Sequence, residues 1–183
     1  MFKFEHICNT AQSFYKAILT LLVSAHAFAS PSEKLLDFQI SLEKRYPTVQ
    51  HLSTADFDKI KNENVVVFDV RSEEEFAVSH IDGATPISPK MSKKEFVSRY
   101  QDIIKGKTIV FYCSVGERSS KMAERVTEVS KLDTAKVFNL EGGLFKWHNE
   151  RRHLINSNGE TTLIHPYNHD WSRLLEQKDR LAK

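Results

Sequence analysis

Two runs of apolar residues dominate the chain: Val65-Val66-Val67-Phe68-Asp69-Val70 and Thr108-Ile109-Val110-Phe111-Tyr112. Near-continuous runs of β-branched and aromatic residues are what strands buried on both faces require. Shorter strand candidates occupy residues 49–53, 84–87 and 136–140. Between them, apolar positions recur at helical spacing. Residues 32–45 place Leu35, Phe38 and Leu42 on one face ahead of Pro47, and 54–61 reads as a short helix. Ser72-x-x-Glu75 and Ser92-x-x-Glu95 read as capping boxes, opening helices that run to about residues 79 and 104. A further helix is expected over 119–130, and Gly142-Gly143 turns into one carrying Phe145 and Trp147. In the tail, His165-Pro166-Tyr167-Asn168 reads as a turn. A final helix follows, with Trp171, Leu174, Leu175 and Leu181 on one face. Alternating strands and helices predict an α/β fold, an open, mostly parallel five-stranded sheet flanked by helices on both faces.

The length of 183 residues suits one domain with extensions. Hydrophobic residues make up 40% and charged residues 27%, as in ordinary globular chains. The formal net charge of +2 is spread without a polybasic run, which gives no electrostatic case for a nucleic-acid partner. The first 29 residues stand apart. Lys3 and Lys16 precede the apolar run Ala17-Ile18-Leu19-Thr20-Leu21-Leu22-Val23, and small residues end the segment at Ala27-Phe28-Ala29. That order fits a secretory signal cut after Ala27 or Ala29. The run is too short to span a bilayer comfortably. The segment has no arginine and carries Glu5, which argues against a mitochondrial transit peptide. The expectation is export, to a bacterial periplasm, with no stable membrane insertion after cleavage; the alternative is an uncleaved leader acting as an anchor. The domain plan is then 1–29 signal, 30–47 a helical extension, 48–152 the main domain and 153–183 a C-terminal extension.

The chain has two cysteines, and Cys8 lies inside the leader. Cleavage would leave Cys113 alone, with no intramolecular disulfide open to it. Cysteine count by itself leaves a buried structural thiol and a reactive one equally open.

The surroundings of Cys113 speak for reactivity. The segment Cys113-Ser114-Val115-Gly116-Glu117-Arg118-Ser119 joins a strand to a helix. Unpaired N–H groups and the positive end of a helix dipole at such a junction favour thiolate over thiol. A loop of Cys-x4-Arg length can curl its N–H groups inward as an anion nest. Gly116 permits dihedrals that other residues resist, Arg118 adds a permanent charge, and Ser119 is placed to cap the helix and to donate to the sulfur. Glu117 works against the thiolate unless it turns to solvent.

These residues resemble those of the rhodanese family of sulfurtransferases. Asp69-Val70-Arg71-x3-Glu75-Phe76-x3-His80-Ile81-x-Gly83-Ala84 is similar to the family's first signature. Cys113-x-x-Gly116-x-Arg118-Ser119 is similar to its active-site loop, and Leu140-x-Gly142-Gly143-x3-Trp147 to its closing segment. The likeness covers roughly residues 48–152; Ser79 stands where the family usually has glycine. The resemblance implies a rhodanese-like fold with Cys113 as nucleophile, and a substrate cradle of Ser114, Val115, Gly116, Glu117, Arg118 and Ser119. It implies a small sulfur-containing anion such as thiosulfate as donor, and cyanide, a thiol or a protein as sulfur acceptor. No cofactor or metal is implied. Related phosphatases use a loop one residue longer, which favours sulfur transfer over phosphate hydrolysis here. The alternative within the resemblance is a persulfide carrier or binding module serving a protein partner, or a redox-sensing thiol.

Other residues read as supporting. In parallel sheets the carboxyl ends of the strands carry the ligand, so Asp69 to Arg71, the Cys113 loop and Glu141-Gly142-Gly143 should converge. Asp69 fixes loops by hydrogen bonds, and Arg71 pairs with a nearby acid. His80 is expected to be packed and hydrogen-bonded, Trp147 to be core, and the two glycines to form a turn with close backbone approach to the pocket. His165-x3-His169, with Asp170, lies around a turn and offers little as a metal site.

Overall fold

The computed structural model describes residues 29–61, 64–127 and 136–182. Residues 1–28 of the expected leader, with Cys8 and the candidate cut after Ala27, and the helix expected over 128–130 lie outside these residues.

The elements follow in the order expected through residue 149. They are α1 (Pro31–Arg45), β1 (Gln50–Leu52), α2 (Thr54–Ile60), β2 (Val65–Asp69), α3 (Glu73–Val78) and β3 (Thr85–Pro86). Then come α4 (Lys93–Ile104), β4 (Thr108–Tyr112), α5 (Glu117–Thr127), β5 (Val137–Leu140) and α6 (Gly143–Asn149). Five strands form one sheet in the order β1-β5-β4-β2-β3, and every pairing is parallel. The two apolar runs are its central pair, in register from Val65 opposite Thr108 to Asp69 opposite Tyr112. This is the expected α/β architecture.

Strand alternation divides the core. Ile109, Phe111 and Cys113 point to one face, where they meet Phe96, Tyr100 and Ile104 of α4 and Met122, Ala123 and Val126 of α5. Val110 and Tyr112 point to the other, among Leu35 of α1, Phe57 of α2 and Leu144, Phe145 and Trp147 of α6. Trp147 is core, as expected. Both faces of β4 are therefore covered, which is why its sequence is apolar without interruption.

The caps differ in completeness. Ser72 and Glu75 form a full capping box, each side chain bonded to the other's backbone N–H. At α4 only half of the expected box forms: Ser92 Oγ accepts from Glu95 N–H.

The tail departs from expectation. Residues 154–161 form a hairpin, β6 (Leu154–Asn156) with β7 (Gly159–Thr161), which docks when His80 and Ile155 exchange backbone hydrogen bonds. The continuous final helix is not formed. Its place is taken by one turn, α7 (His169–Ser172), and a 3-10 turn over Lys178–Arg180. The apolar residues are buried all the same: Leu175 packs in the α6 face, with Trp171, Leu174 and Leu181 partly covered against it.

Candidate active site

Cys113 directly follows β4 and is 1% exposed. Its Sγ accepts a hydrogen bond from Gly116 N–H at 3.2 Å. Gly116 has φ +99°, a conformation that makes this return of the backbone toward the sulfur feasible and that a side chain would resist. The loop is held from behind by α6. Leu144 N–H donates to Cys113 O at 2.8 Å and Phe145 N–H to Ser114 O at 2.9 Å. Trans peptides point N–H opposite to C=O, so the N–H groups of Ser114 and Val115 face away from α6. The approach is close: a Cβ on Gly143 would sit 2.2 Å from Cys113 O. The glycine pair thus makes both the turn and the tight backbone contact.

Arg118 does not stand as a free cation. Its Nη1 donates to Glu75 Oε2 at 2.7 Å, and its Nη2 donates to Glu75 Oε1 at 2.8 Å and to Ser114 Oγ at 2.9 Å. Ser114 Oγ in turn donates to Glu75 Oε1 at 2.6 Å. Burial pushes the Glu75 carboxyl up, but the Arg118 and Ser114 hydrogen bonds and the Arg118 charge outweigh it and hold it at about 2. Burial opposes the Arg118 charge, and the Glu75 carboxylate and the nearby Cys113 sulfur more than restore it. Glu75 reads from sequence as a cap residue only. The sign of its second role is an acid buried on a helix whose first turn already carries two others.

The remaining loop residues face outward from the sulfur. Glu117 accepts from Arg45 Nη1 at 2.6 Å and Tyr46 Oη at 3.0 Å, so α1 draws its charge away. Val115 packs into the apolar face with Tyr112. Ser119 does not cap: α5 begins two residues earlier, at Glu117, and Ser119 Oγ donates to Asn139 Oδ1 at 2.6 Å. Asn139, fully buried within β5, is a residue the sequence did not single out. Its Nδ2 and Gln39 Nε2 both donate to His51 Nδ1, at 3.1 and 3.0 Å. Gln39 Oε1 accepts from Gly142 N–H at 3.0 Å. Two donors on Nδ1 require a neutral imidazole, and burial lowers the His51 pKa despite Glu43 and Glu141. Leu42 of α1 lies against Gly116, within 3.2 Å of where a Cβ would stand. The N-terminal extension therefore supports the loop from Gln39, Leu42, Arg45 and Tyr46.

Asp69 and Arg71 form a buried pair, with Arg71 Nη2 2.6 Å from Asp69 Oδ2 and from Ser79 O. Their side-chain hydrogen bonds run to each other, to Ser79 O and to the Tyr112 hydroxyl, not to the cysteine loop. Ser79, extended just after α3, buries its Oγ without a partner. His80 Nδ1 bonds Phe76 O and its ring stacks on Phe76 at 3.8 Å, the packed role expected. Among the described residues no group of three or more His, Cys, Asp or Glu is arranged to hold a metal ion.

Residues 53–150 match the rhodanese-like domain. The chain belongs to this family. This rhodanese-like domain is 33% identical over 93 residues to a tRNA uridine(34) hydroxylase of Brucella anthropi, covering 50% of this chain and 30% of that protein. A second protein of that name, from Bacillus pumilus, is 33% identical over 94 residues, 47% of this chain and 29% of its own. The chain thus spans under a third of these relatives, and their name sets a tRNA beside the expectation of no nucleic-acid partner. Among solved structures, a Bacillus halodurans protein aligns at TM-score 0.49 and 22% identity, over 67% of this chain and 88% of its own. A rhodanese-related protein of Thermoplasma volcanium aligns at 0.47 and 20%, over 58% and 97%.

Proposed function

We propose that this rhodanese-like domain carries a sulfane sulfur on Cys113. The supporting observation is the Gly116 N–H aimed at the sulfur in a loop whose Cys113 and Ser114 carbonyls are tied off by α6. That arrangement leaves N–H groups, and no carbonyl of these two residues, for a developing anion. The Cys113 thiolate attacks the outer sulfur of a donor such as thiosulfate. The new S–S bond forms as the donor's S–S bond breaks, and sulfite leaves with the electron pair. Cyanide or a thiolate then attacks the terminal sulfur of the persulfide and regenerates the thiolate. Covalent catalysis of this kind gives ping-pong kinetics.

One observation favours a second reading. Arg118 spends its charge on Glu75, and Glu117 carries its own to Arg45, so a free thiosulfate dianion finds no unshared cation in the loop. A persulfide received from another sulfur carrier, and passed to a protein thiol, needs none. The tRNA substrate named in the relatives is not carried over, since the shared segment spans under a third of them. The leader composition supports export, with cleavage after Ala27 or Ala29.

Intact-mass measurement after incubation with thiosulfate, and separately with glutathione persulfide, tests the proposal. One added sulfur atom that a reducing agent removes, absent in Cys113→Ser, is the expected result. No adduct with either donor overturns it. An adduct from the persulfide alone selects the carrier reading.

A further inference from the structure

The C-terminal extension places one side chain at the cysteine loop. The ring of Tyr167 lies over the Arg118 guanidinium, 5.1 Å from its centroid, within cation–π range. The donors of Arg118 are directed at Glu75 and Ser114, and its guanidinium carbon sits over the Tyr167 ring. The placement of the ring is built into the turn. Tyr167 has φ +64°, a left-handed conformation that costs energy for a side chain with a Cβ. Its N–H donates to His165 Nδ1 at 3.0 Å, and Asn168 caps the following turn through Trp171 N–H. Buried Ile164 and Leu175 anchor the segment on either side. A strained turn, pinned at both ends, holds a tyrosine that is itself 50% exposed and contributes little to the core.

Two other sides of the loop are packed. Leu42, Gln39 and Asn139 crowd Gly116, and the Gly143 backbone crowds Cys113 O. Cys113 is 1% and Ser114 4% exposed, while the neighbouring Arg118 side chain keeps 25%, and approach to the sulfur is taken to come from that partly exposed side. We propose that Tyr167 is the specificity-determining residue of this site: its ring walls the Arg118 side, admits small sulfur donors and acceptors to Cys113, and slows bulky ones. As a statement about sulfur chemistry this rests on the reading of Cys113 as a sulfur carrier. As a statement about access it does not.

The test therefore has two arms on the full chain, with wild type, Tyr167→Asn, Tyr167→Gly and Tyr167→Phe. Asn and Gly both accept the left-handed backbone, so each removes the ring without straining the turn. In the first arm, Cys113 alkylation by iodoacetamide and by fluorescein maleimide is followed by peptide mass. The ratio of bulky to small reagent rates should rise about ten-fold in the Asn and Gly variants and stay at the wild-type value in Phe. In the second arm, persulfide formation from glutathione persulfide should gain on that from thiosulfate by a similar factor. An unchanged alkylation ratio in both ring-less variants, with unfolding midpoints near wild type, overturns the wall. A shifted ratio in a protein that takes no sulfur from either donor supports the wall and overturns the carrier reading instead.

Discussion

Glu75 holds both terminal nitrogens of Arg118, at 2.7 and 2.8 Å, across 43 positions of sequence. The pair joins the first turn of α3 to the first turn of α5, just past the Cys113 loop, and leaves Glu75 only 2% exposed. Removing one partner of a buried pair strands the other charge, and that cost exceeds the net worth of the pair.

Glu75→Gln should therefore lose about 3 kcal/mol at neutral pH in urea unfolding. The wild type carries its own acid signature. The folded-state value of about 2 lies below the ordinary 4.5, so the stabilisation is complete above pH 4.5 and disappears as pH falls toward 2. Its size is on the order of 3 kcal/mol. Circular dichroism against pH should show that slope in wild type and a flatter one in Glu75→Gln; equal slopes would refute the assignment.

Gly143→Ala is expected to be the most damaging small substitution in the molecule. The new Cβ would meet Cys113 O at 2.2 Å and Ser114 C and O at 2.9 Å, all backbone, and φ is +55°. A loss of about 3 kcal/mol or more in stability should accompany loss of Cys113 reactivity. A variant that melts with wild type would show that the loop and α6 are not in this contact.

Leu42→Ala asks whether α1 belongs to the domain. Leu42 is fully buried and touches the space beside Gly116. If α1 is an integral support, denaturant unfolding should show a loss of about 2–5 kcal/mol in a single transition. A loss below about 1 kcal/mol would mark α1 as a dispensable appendage.

His51 and His148 make folding sensitive to mild acid. Burial lowers both pKa values, opposed at His51 by Glu43 and Glu141 and at His148 by the Thr162 carbonyl and Asp179. A histidine whose folded pKa lies below 6.5 stabilises fully above 6.5, and the contribution shrinks as pH falls through that value. Wild type should lose stability between about pH 7.5 and 5.5, and His51→Gln, which keeps an acceptor for Gln39 and Asn139, should lose less. An identical loss in both would remove His51 from the account.

The parts of this fold that were legible in sequence are those where one residue type answers to one local demand. β2 and β4 read correctly because strands covered on both faces need unbroken apolar runs. The conformational freedom expected of Gly116 is used, because its N–H returns to a sulfur only three positions earlier. What was not legible depends on partners distant in sequence. Arg118 reads as a free cation until Glu75, 43 positions earlier, is seen to hold it. The hairpin at 154–161 carries an Asn158-Gly159 signal, which favours such turns, yet its strands are too short to alternate visibly. The tail stripe of Trp171, Leu174, Leu175 and Leu181 has helical spacing, but docking on α6 buries those residues from a mostly irregular backbone.

Ser32 donates from both its N–H and its Oγ to Glu176, 144 positions away, and Phe38 of α1 meets Trp171 edge-on at 5.1 Å. Synthesis runs from one to the other, so α1 must wait for 144 further positions before it finds these partners. The helix that braces Gly116 can therefore lock on these partners only after all five strands of the sheet have been made, and until then a growing chain carries its cysteine loop without that brace. The same proximity makes residues near Ser32 and Glu176 the natural place to join by a short linker and to open the chain elsewhere, for instance at the exposed 157–158 turn, without disturbing the sheet.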